Sequence, residues 1–319
     1  MTPTTLEDTV QLSAVPASVH RREVSASAAG STTAARPGPA AAAGRLGTAS
    51  RTDGPKEPGR GRARLRRFGL GLAGVVGVIA LLELVVRTGL LPETWFPPPS
   101  QIFPAFAGLV ADGELFGPVG QTLQGWVLGI LAAAVVALPL GIAIGSVELA
   151  HRLTRFLLEF LRPIPPVALI PAAVLIFGSN LDMKVFLIAF GVFWPILLQT
   201  VYGIHDTDPT LRDTARSYGL PRHARLLRIV LPSALPYIAT GLRIASAIGL
   251  ILAITAELVV GTPGIGVSIT DAQSAGDAQD VMYAWILAAG LLGFLLNGSL
   301  QAVERRILHW HTSFRGGNR

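Results

Sequence analysis

Six stretches of this chain are apolar for long enough to cross a hydrocarbon core, a task that takes about 20 helical residues. They run from about Phe68 to Leu91, Thr122 to Val147, Leu153 to Phe177, Val185 to Ile204, Leu235 to Val260 and Val281 to Val303. The second, fourth and sixth hold no charged residue. Composition agrees, since 50% of the 319 residues are hydrophobic and only 14% are charged, against about 25% charged in soluble domains. Lipid is therefore the expected solvent for most of the chain. The expected fold class is an all-α membrane protein with six transmembrane helices, a multi-pass protein of the cell membrane.

Basic residues orient the spans. With six crossings both termini share a side, and placing that side in the cytoplasm gathers nearly every arginine there. These are the cluster Arg60, Arg62, Arg64, Arg66 and Arg67, then Arg152, Arg155 and Arg162, then Arg212, Arg216, Arg222, Arg225 and Arg228, and finally Arg305, Arg306, Arg315 and Arg319. The outer segments keep Arg87 and Lys184 at span ends, with the acids Glu93, Asp112, Glu114, Asp271, Asp277 and Asp280. The net charge of +6 thus belongs to tails and short loops, and nucleic acid is not an expected partner. The absence of cysteine excludes disulfides, thiolate metal sites and thiol catalysis.

Residues 1–64 are a different material. From Ser25 to Ala63 the chain is Ala, Gly, Ser, Thr, Pro and Arg with almost no large apolar side chain. Such a segment buries too little surface to offset its ordering entropy, so a disordered cytoplasmic tail over 1–64 and a membrane domain over 65–319 are expected. After the first span, Trp95 and Phe96 suit a membrane interface, and the residues from Gln101 to Phe116 suit a short helix along the outer surface.

The polar loop of residues 205–233 reads as two short helices. Asp208 is a good N-cap with Pro209 in the first helical position. Gly219 stands where a helix ends with positive φ, an elbow at which a side chain resists the turn. Leu220-Pro221 restarts a helix that Pro232 is expected to close. Ala215 is small enough for a partner surface to approach, and Arg212 and Arg216 share a face. A helix pair resting on anionic lipid is the alternative use of such a loop.

The order Asp213-Thr214-Ala215-Arg216, Gly219, Ile229, Leu231-Pro232 resembles the EAA loop of ABC importer permeases. Further motifs resemble the nitrate, taurine and aliphatic sulfonate branch of that family. They are Phe96-Pro97-Pro98-Pro99-Ser100, Leu138-Pro139-Leu140-Gly141, and Leu161-Arg162-Pro163-Ile164-Pro165-Pro166 running on to Pro171. Phe177-Gly178, Leu231 to Ile238, Gly241-Leu242-Arg243, Ala256-Glu257 and Gly264-Ile265-Gly266 complete the set. The resemblance covers about residues 68–312. Asp213 stands where the pattern has Glu, and Thr214 where it has Ala. The resemblance implies a type I importer fold with cytoplasmic coupling helices. It also implies a homodimer, cytoplasmic ATPase subunits that dock on this loop, and an extracytoplasmic solute-binding protein that selects the solute. The chain has no P-loop, which needs Gly-x-x-x-x-Gly-Lys-Ser/Thr; its only lysines are Lys56 and Lys184. No cofactor is expected in this chain, ATP and Mg being bound by the ATPase partner, and the chain is not expected to be an enzyme.

Ionisable groups inside spans are functional candidates by default. Glu83 and Arg87 can pair one turn apart. Arg243 either snorkels toward water or sits near an inner gate. Glu257 either faces the outer mouth of a pathway or bonds the turn holding Gly261, Gly264 and Gly266. Gln199, Thr240, Ser246, Thr255 and Asn297 are candidates for a weak polar path or for helix–helix hydrogen bonds. Pro163, Pro165 and Pro166 break the third span, and in lipid such a break needs protein or water to satisfy the freed carbonyls. That segment is therefore expected inside the bundle, at a gate. A transporter driven by an ion gradient is the alternative function, and it calls for paired acids or broken helices at the midplane.

Overall fold

The computed structural model describes residues 60–276 and 279–308. Most of the expected tail, and Arg315 and Arg319, lie outside the described residues. All described regular structure is helical: α1 Arg60–Arg87, α2 Pro99–Ala111, α3 Phe116–Ser146, α4 Glu148–Leu161, α5 Ile170–Phe177, α6 Leu181–His205, α7 Pro209–Ser217, α8 Arg222–Arg225, α9 Leu231–Val260, α10 Ile265–Ser274 and α11 Gln279–Ile307. A 3-10 turn, Pro166–Leu169, precedes α5, and a π-helical segment, Leu226–Val230, joins α8 to α9. Five helical runs are long and apolar enough to span, and the bent pair α4–α5 makes up to six. The first helix begins at Arg60, inside the last residues of the expected tail.

Close approaches between helices fix their directions. An added Cβ on Gly125, Gly129, Gly141 or Gly145 of α3 would lie 2.5 to 2.8 Å from Lys184, Ile188, Thr200 and Ile204 of α6, in that order. Both helices ascend together, so α3 and α6 are parallel, with glycines at four-residue spacing as the contact. Two parallel neighbours need a return crossing, and only residues 147–180 can supply it. α9 runs antiparallel to α6, because Gly191 meets Leu252, Gly241 meets Gln199, and Gly203 meets Ala234 and Tyr237. α11 runs antiparallel to α9, with Leu250 against Gly293 and Arg243 paired with Glu304.

The return crossing is a broken one. α4 and the Pro166–Phe177 unit meet at 76°, where Pro163, Pro165 and Pro166 interrupt the helical ladder. The expectation that this segment lies inside the bundle fails for the single chain. Leu158, Ile170 and Ala173 are buried, but Leu153, Phe156, Phe160, Leu175 and Ile176 are exposed, as are Pro163 and Pro165. An apolar surface of this kind is met by lipid or by another subunit, not by water.

α1 is tethered at one end. Arg87 Nε donates to Glu83 at 2.6 Å, and Ser100 donates to Glu83 through its backbone N–H at 3.0 Å and its hydroxyl at 2.8 Å. The expected Glu83–Arg87 pair thus also anchors the start of α2. Tyr283 Oη donates to the Trp95 carbonyl at 3.1 Å, which brings this end of α1 to the start of α11. The bundle therefore has two faces. One carries the end of α1, α2, the start of α6, α10 and the start of α11. The other carries the α3–α4 turn, α7, α8 and the end of α11.

Candidate functional site: a helical hairpin and a buried polar lock

The hairpin forms as its residues dictate. The Asp208 carboxylate accepts from the Thr210 N–H at 2.8 Å, with Pro209 in the first turn. At the other end Gly219 has φ +70°. Its N–H donates to Arg216 O at 3.0 Å, and the Leu220 N–H donates to Ala215 O at 3.1 Å. This is a Schellman stop, which favours glycine at the left-handed position. An added Cβ on Gly219 would meet nothing within 4 Å, so only the backbone angle restricts this site, and the space around it is open. Tyr218 beside it is 82% exposed. That aromatic at the tip was not singled out by sequence reasoning, although tyrosine is a common interface anchor.

Two loop residues, Ala215 and Pro232, behave differently from expectation, and Arg212 has a contact that the sequence did not show. Ala215 is buried within the chain, so its small size serves the packing of α7 rather than leaving room for an outside surface. Arg212 donates through Nη2 to the Ile204 carbonyl. A cation there suits the negative end of the α6 dipole and ties the hairpin to that span. Pro232 does not close the second helix: residues Arg222–Val260 form one continuous run of 39 residues. The π segment carries the chain through, with the Leu231 N–H reaching Leu226 O five residues back. Pro232 falls in the first turn of α9, where a missing N–H is tolerated. Ile229 lies in the π segment and Leu231 opens α9. Asp213, Thr214 and Arg216 are exposed on α7. A cleft of about 730 Å³ between the hairpin and the α3–α4 turn is lined by Arg212, Asp213, Arg216, Arg222 and Arg225, with Glu148 opposite.

The opposite face holds a buried charge pair. Lys184 is 1% exposed and Glu257 is 0% exposed, and Lys184 Nζ donates to Glu257 Oε1 at 2.8 Å. The same ammonium donates to the Pro263 carbonyl at 2.7 Å and the Gln121 carbonyl at 3.4 Å. Glu257 also accepts from Thr122 Oγ1 at 2.9 Å and from the Gly266 N–H at 2.9 Å, while Thr122 Oγ1 accepts from the Ile265 N–H at 3.0 Å. The network joins α3, α6, α9 and α10. Every strong donor and acceptor in it is used, the condition under which buried polar groups become rigid. An added Cβ on Gly264 would lie 2.1 Å from the Glu257 carboxyl carbon, so the loop can close over the acid only with glycine there. Of the two expectations for Glu257, the bonded turn is what the structure contains. Lys184 is not an exposed orienting charge but the counter-ion. Sequence reasoning missed this pairing because 73 residues separate the partners.

Arg243 does not stand free. It pairs with Glu304 of α11, a residue 9% exposed. The hydroxyls of Thr240 and Thr255 donate to carbonyls four residues back on their own helix, correcting the idea that they bridge helices. Ser246 takes part through its backbone carbonyl, which accepts from Trp126 Nε1 at 2.9 Å. Among the described residues no cluster of His, Cys, Asp and Glu is arranged to hold a metal.

Parallel spans joined by a broken return crossing, with a helical hairpin at one end, define a multi-pass, all-helical membrane protein. The chain belongs to the family of binding-protein-dependent transport system inner membrane components, whose profile matches residues 125–309. It is 32% identical over 263 residues to a putative aliphatic sulfonates transport permease protein of Bacillus subtilis, covering 82% of this chain and 93% of that protein. It is 32% identical over 247 residues to the taurine transport system permease protein of Escherichia coli, covering 74% and 89%. It is also 32% identical over 207 residues to the nitrate import permease protein of Leptolyngbya laminosa, covering 65% and 74%. The fold is shared with inward-facing structures of the MetNI methionine ABC transporter, with TM-score 0.54 and 19% identity over 60% of this chain and 94% of that one. The chain is thus an ABC-importer permease subunit, a non-catalytic component that forms part of a translocation pathway.

Proposed function

We propose that this permease is driven through its α7–α8 hairpin by a separate cytoplasmic ATPase subunit, which binds the ATP and Mg. On this reading the hairpin face is cytoplasmic, as are both termini, with residues 1–64 as a tail. A homodimer frames the pathway, and an extracytoplasmic binding protein delivers a small solute of the sulfonate, taurine or nitrate kind. The observation that carries the proposal is the unbroken run from Arg222 to Val260. The π segment and Pro232 lie within that run without breaking it, so a push on α8 is carried on into α9. Arg243–Glu304 hands that motion to α11, and Arg212 hands it to α6. This is rigid-body rocking of packed elements between two states. Asp213, Thr214, Arg216, Gly219, Ile229, Leu231 and Pro232 are the proposed coupling residues, and the turn around Pro163, Pro165 and Pro166 is the proposed gate. An ion-gradient mechanism calls for acids at the midplane, whereas the buried acid Glu257 sits in the last turn of α9 with protein donors around it.

The test is Gly219→Asp. A side chain there projects into open space, so insertion and folding are retained while docking is obstructed. ATP-dependent uptake by the assembled transporter is expected to fall at least about tenfold, the equivalent of about 1.4 kcal/mol of coupling. Uptake at the unaltered rate would remove the hairpin from the mechanism.

A further inference from the structure

A cavity of about 260 Å³ opens where the proline-broken turn meets α6 and α9. Four polar side chains line it, those of Arg162, Trp194, Gln199 and Tyr202, and the remaining lining is apolar apart from Gly191. No carboxylate reaches it. Among the described residues, none of these four side chains has a hydrogen-bond or ion-pair partner, and the Trp194 indole nitrogen is buried without an acceptor. A buried donor left without an acceptor calls for a cause. Arg162 and Tyr202 are exposed in the single chain, so they stand on the open side of the cavity, and Trp194 supplies its buried donor.

The donor count shows what is missing. Arg supplies five N–H groups and Trp one, and neither can accept; Gln and Tyr can each donate as well. The complement to such a wall is an anion with several acceptor oxygens and a short apolar body. Planar and tetrahedral oxyanions match a guanidinium fork. We propose that this cavity is a subsite on the translocation path for a small oxyanion of the sulfonate or nitrate class. Arg162 supplies the charge, Trp194 a directed N–H, and Gln199 and Tyr202 adjustable donors. One cation in a cavity of this size holds an anion weakly, which suits passage rather than storage. Arg162 caps α4 just before the proline break, so a movement of that break carries the guanidinium with it. The inference rests on the permease reading and adds to it a site at which such a solute is held.

The test uses the permease in nanodiscs, titrated with ethanesulfonate and with neutral ethanesulfonamide, and read by tryptophan fluorescence. A saturable change with ethanesulfonate alone is expected. It should vanish in Trp194→Phe, weaken at least tenfold in Arg162→Gln and persist in Arg162→Lys. A flat titration, an equal response to the neutral compound, or an unchanged midpoint in Arg162→Gln overturns the subsite. A second arm measures ethanesulfonate uptake by the transporter assembled with its cognate ATPase and binding protein. Arg162→Gln is expected to lose uptake at least tenfold while ATP hydrolysis stimulated by the binding protein continues. Full uptake in that variant overturns the subsite. Absence of any ATP-dependent uptake by the unaltered transporter sinks the permease coupling instead, and the titration then decides the cavity alone.

Discussion

The two faces of this bundle are built on opposite principles. On one, α10 closes over Lys184, Glu257 and Thr122, and every polar atom of that group finds its partner inside the chain. On the other, the α7–α8 hairpin leaves Tyr218, Arg216 and Arg222 in the open, around a wide cleft. The charged core of the first face is satisfied by its own residues. The second is left open, where the proposed ATPase contact would lie. The proposed coupling would use both: a region that holds its helices together as one body and a region that offers a grip.

Breaking the closed face should have the largest effect. Lys184→Met or Glu257→Leu leaves one buried charge without its partner, which costs about 3–5 kcal/mol. Thermal unfolding in detergent should show each single variant strongly destabilised or poorly inserted. The double variant Lys184→Met/Glu257→Leu removes both charges and should lose less than the sum of the two. Simple additivity in that cycle would mean that the two side chains do not act as a pair.

An intermediate effect is expected at Arg243–Glu304, which links α9 to α11 nearer the hairpin face. The acid is nearly buried and the arginine side chain is 36% exposed, so Glu304→Gln leaves a cation that can still find water. The loss should be about 1–2 kcal/mol, between an exposed pair and a buried one. A destabilisation as large as that of Glu257→Leu, measured in the same unfolding assay, would show that this junction belongs to the closed body.

The smallest effect on stability belongs to the open face. Gly219→Ala places a methyl group in free space at φ +70°, and the only penalty is the left-handed backbone, about 1 kcal/mol. The unfolding midpoint should shift slightly and insertion should be normal. A large drop would mean that the elbow is packed against the chain rather than presented.

Much of the hairpin was legible from sequence because its signals are local. Asp208-Pro209 starts a helix and Gly219 ends it through contacts spanning a few residues, and both do so in the structure. Pro232 was misread for a related reason. Proline stops a helix only when its missing N–H and its ring have no accommodation, and the π segment before it supplies that accommodation. The candidate cavity was half legible: Gln199 stood out as a polar residue in a span, and Pro163, Pro165 and Pro166 as a break. Arg162 was counted only as an orienting charge, and Trp194 gave no signal.

The sequence by itself determined that the chain is an all-helical, multi-pass membrane protein, where its five long apolar helices and the proline-broken stretch between them fall, and that a charged helical elbow interrupts them. These follow from hydropathy, helix length and turn chemistry, which act over a handful of neighbouring residues. Only the tertiary structure decided that α3 and α6 lie parallel through glycines, that Lys184 answers Glu257 across 73 residues, and that Arg243 answers Glu304. The physical reason is the same in each case. A buried charge must find a counter-ion somewhere, but which one it finds depends on which helices pack together, and that is a property of the assembled bundle rather than of any segment within it.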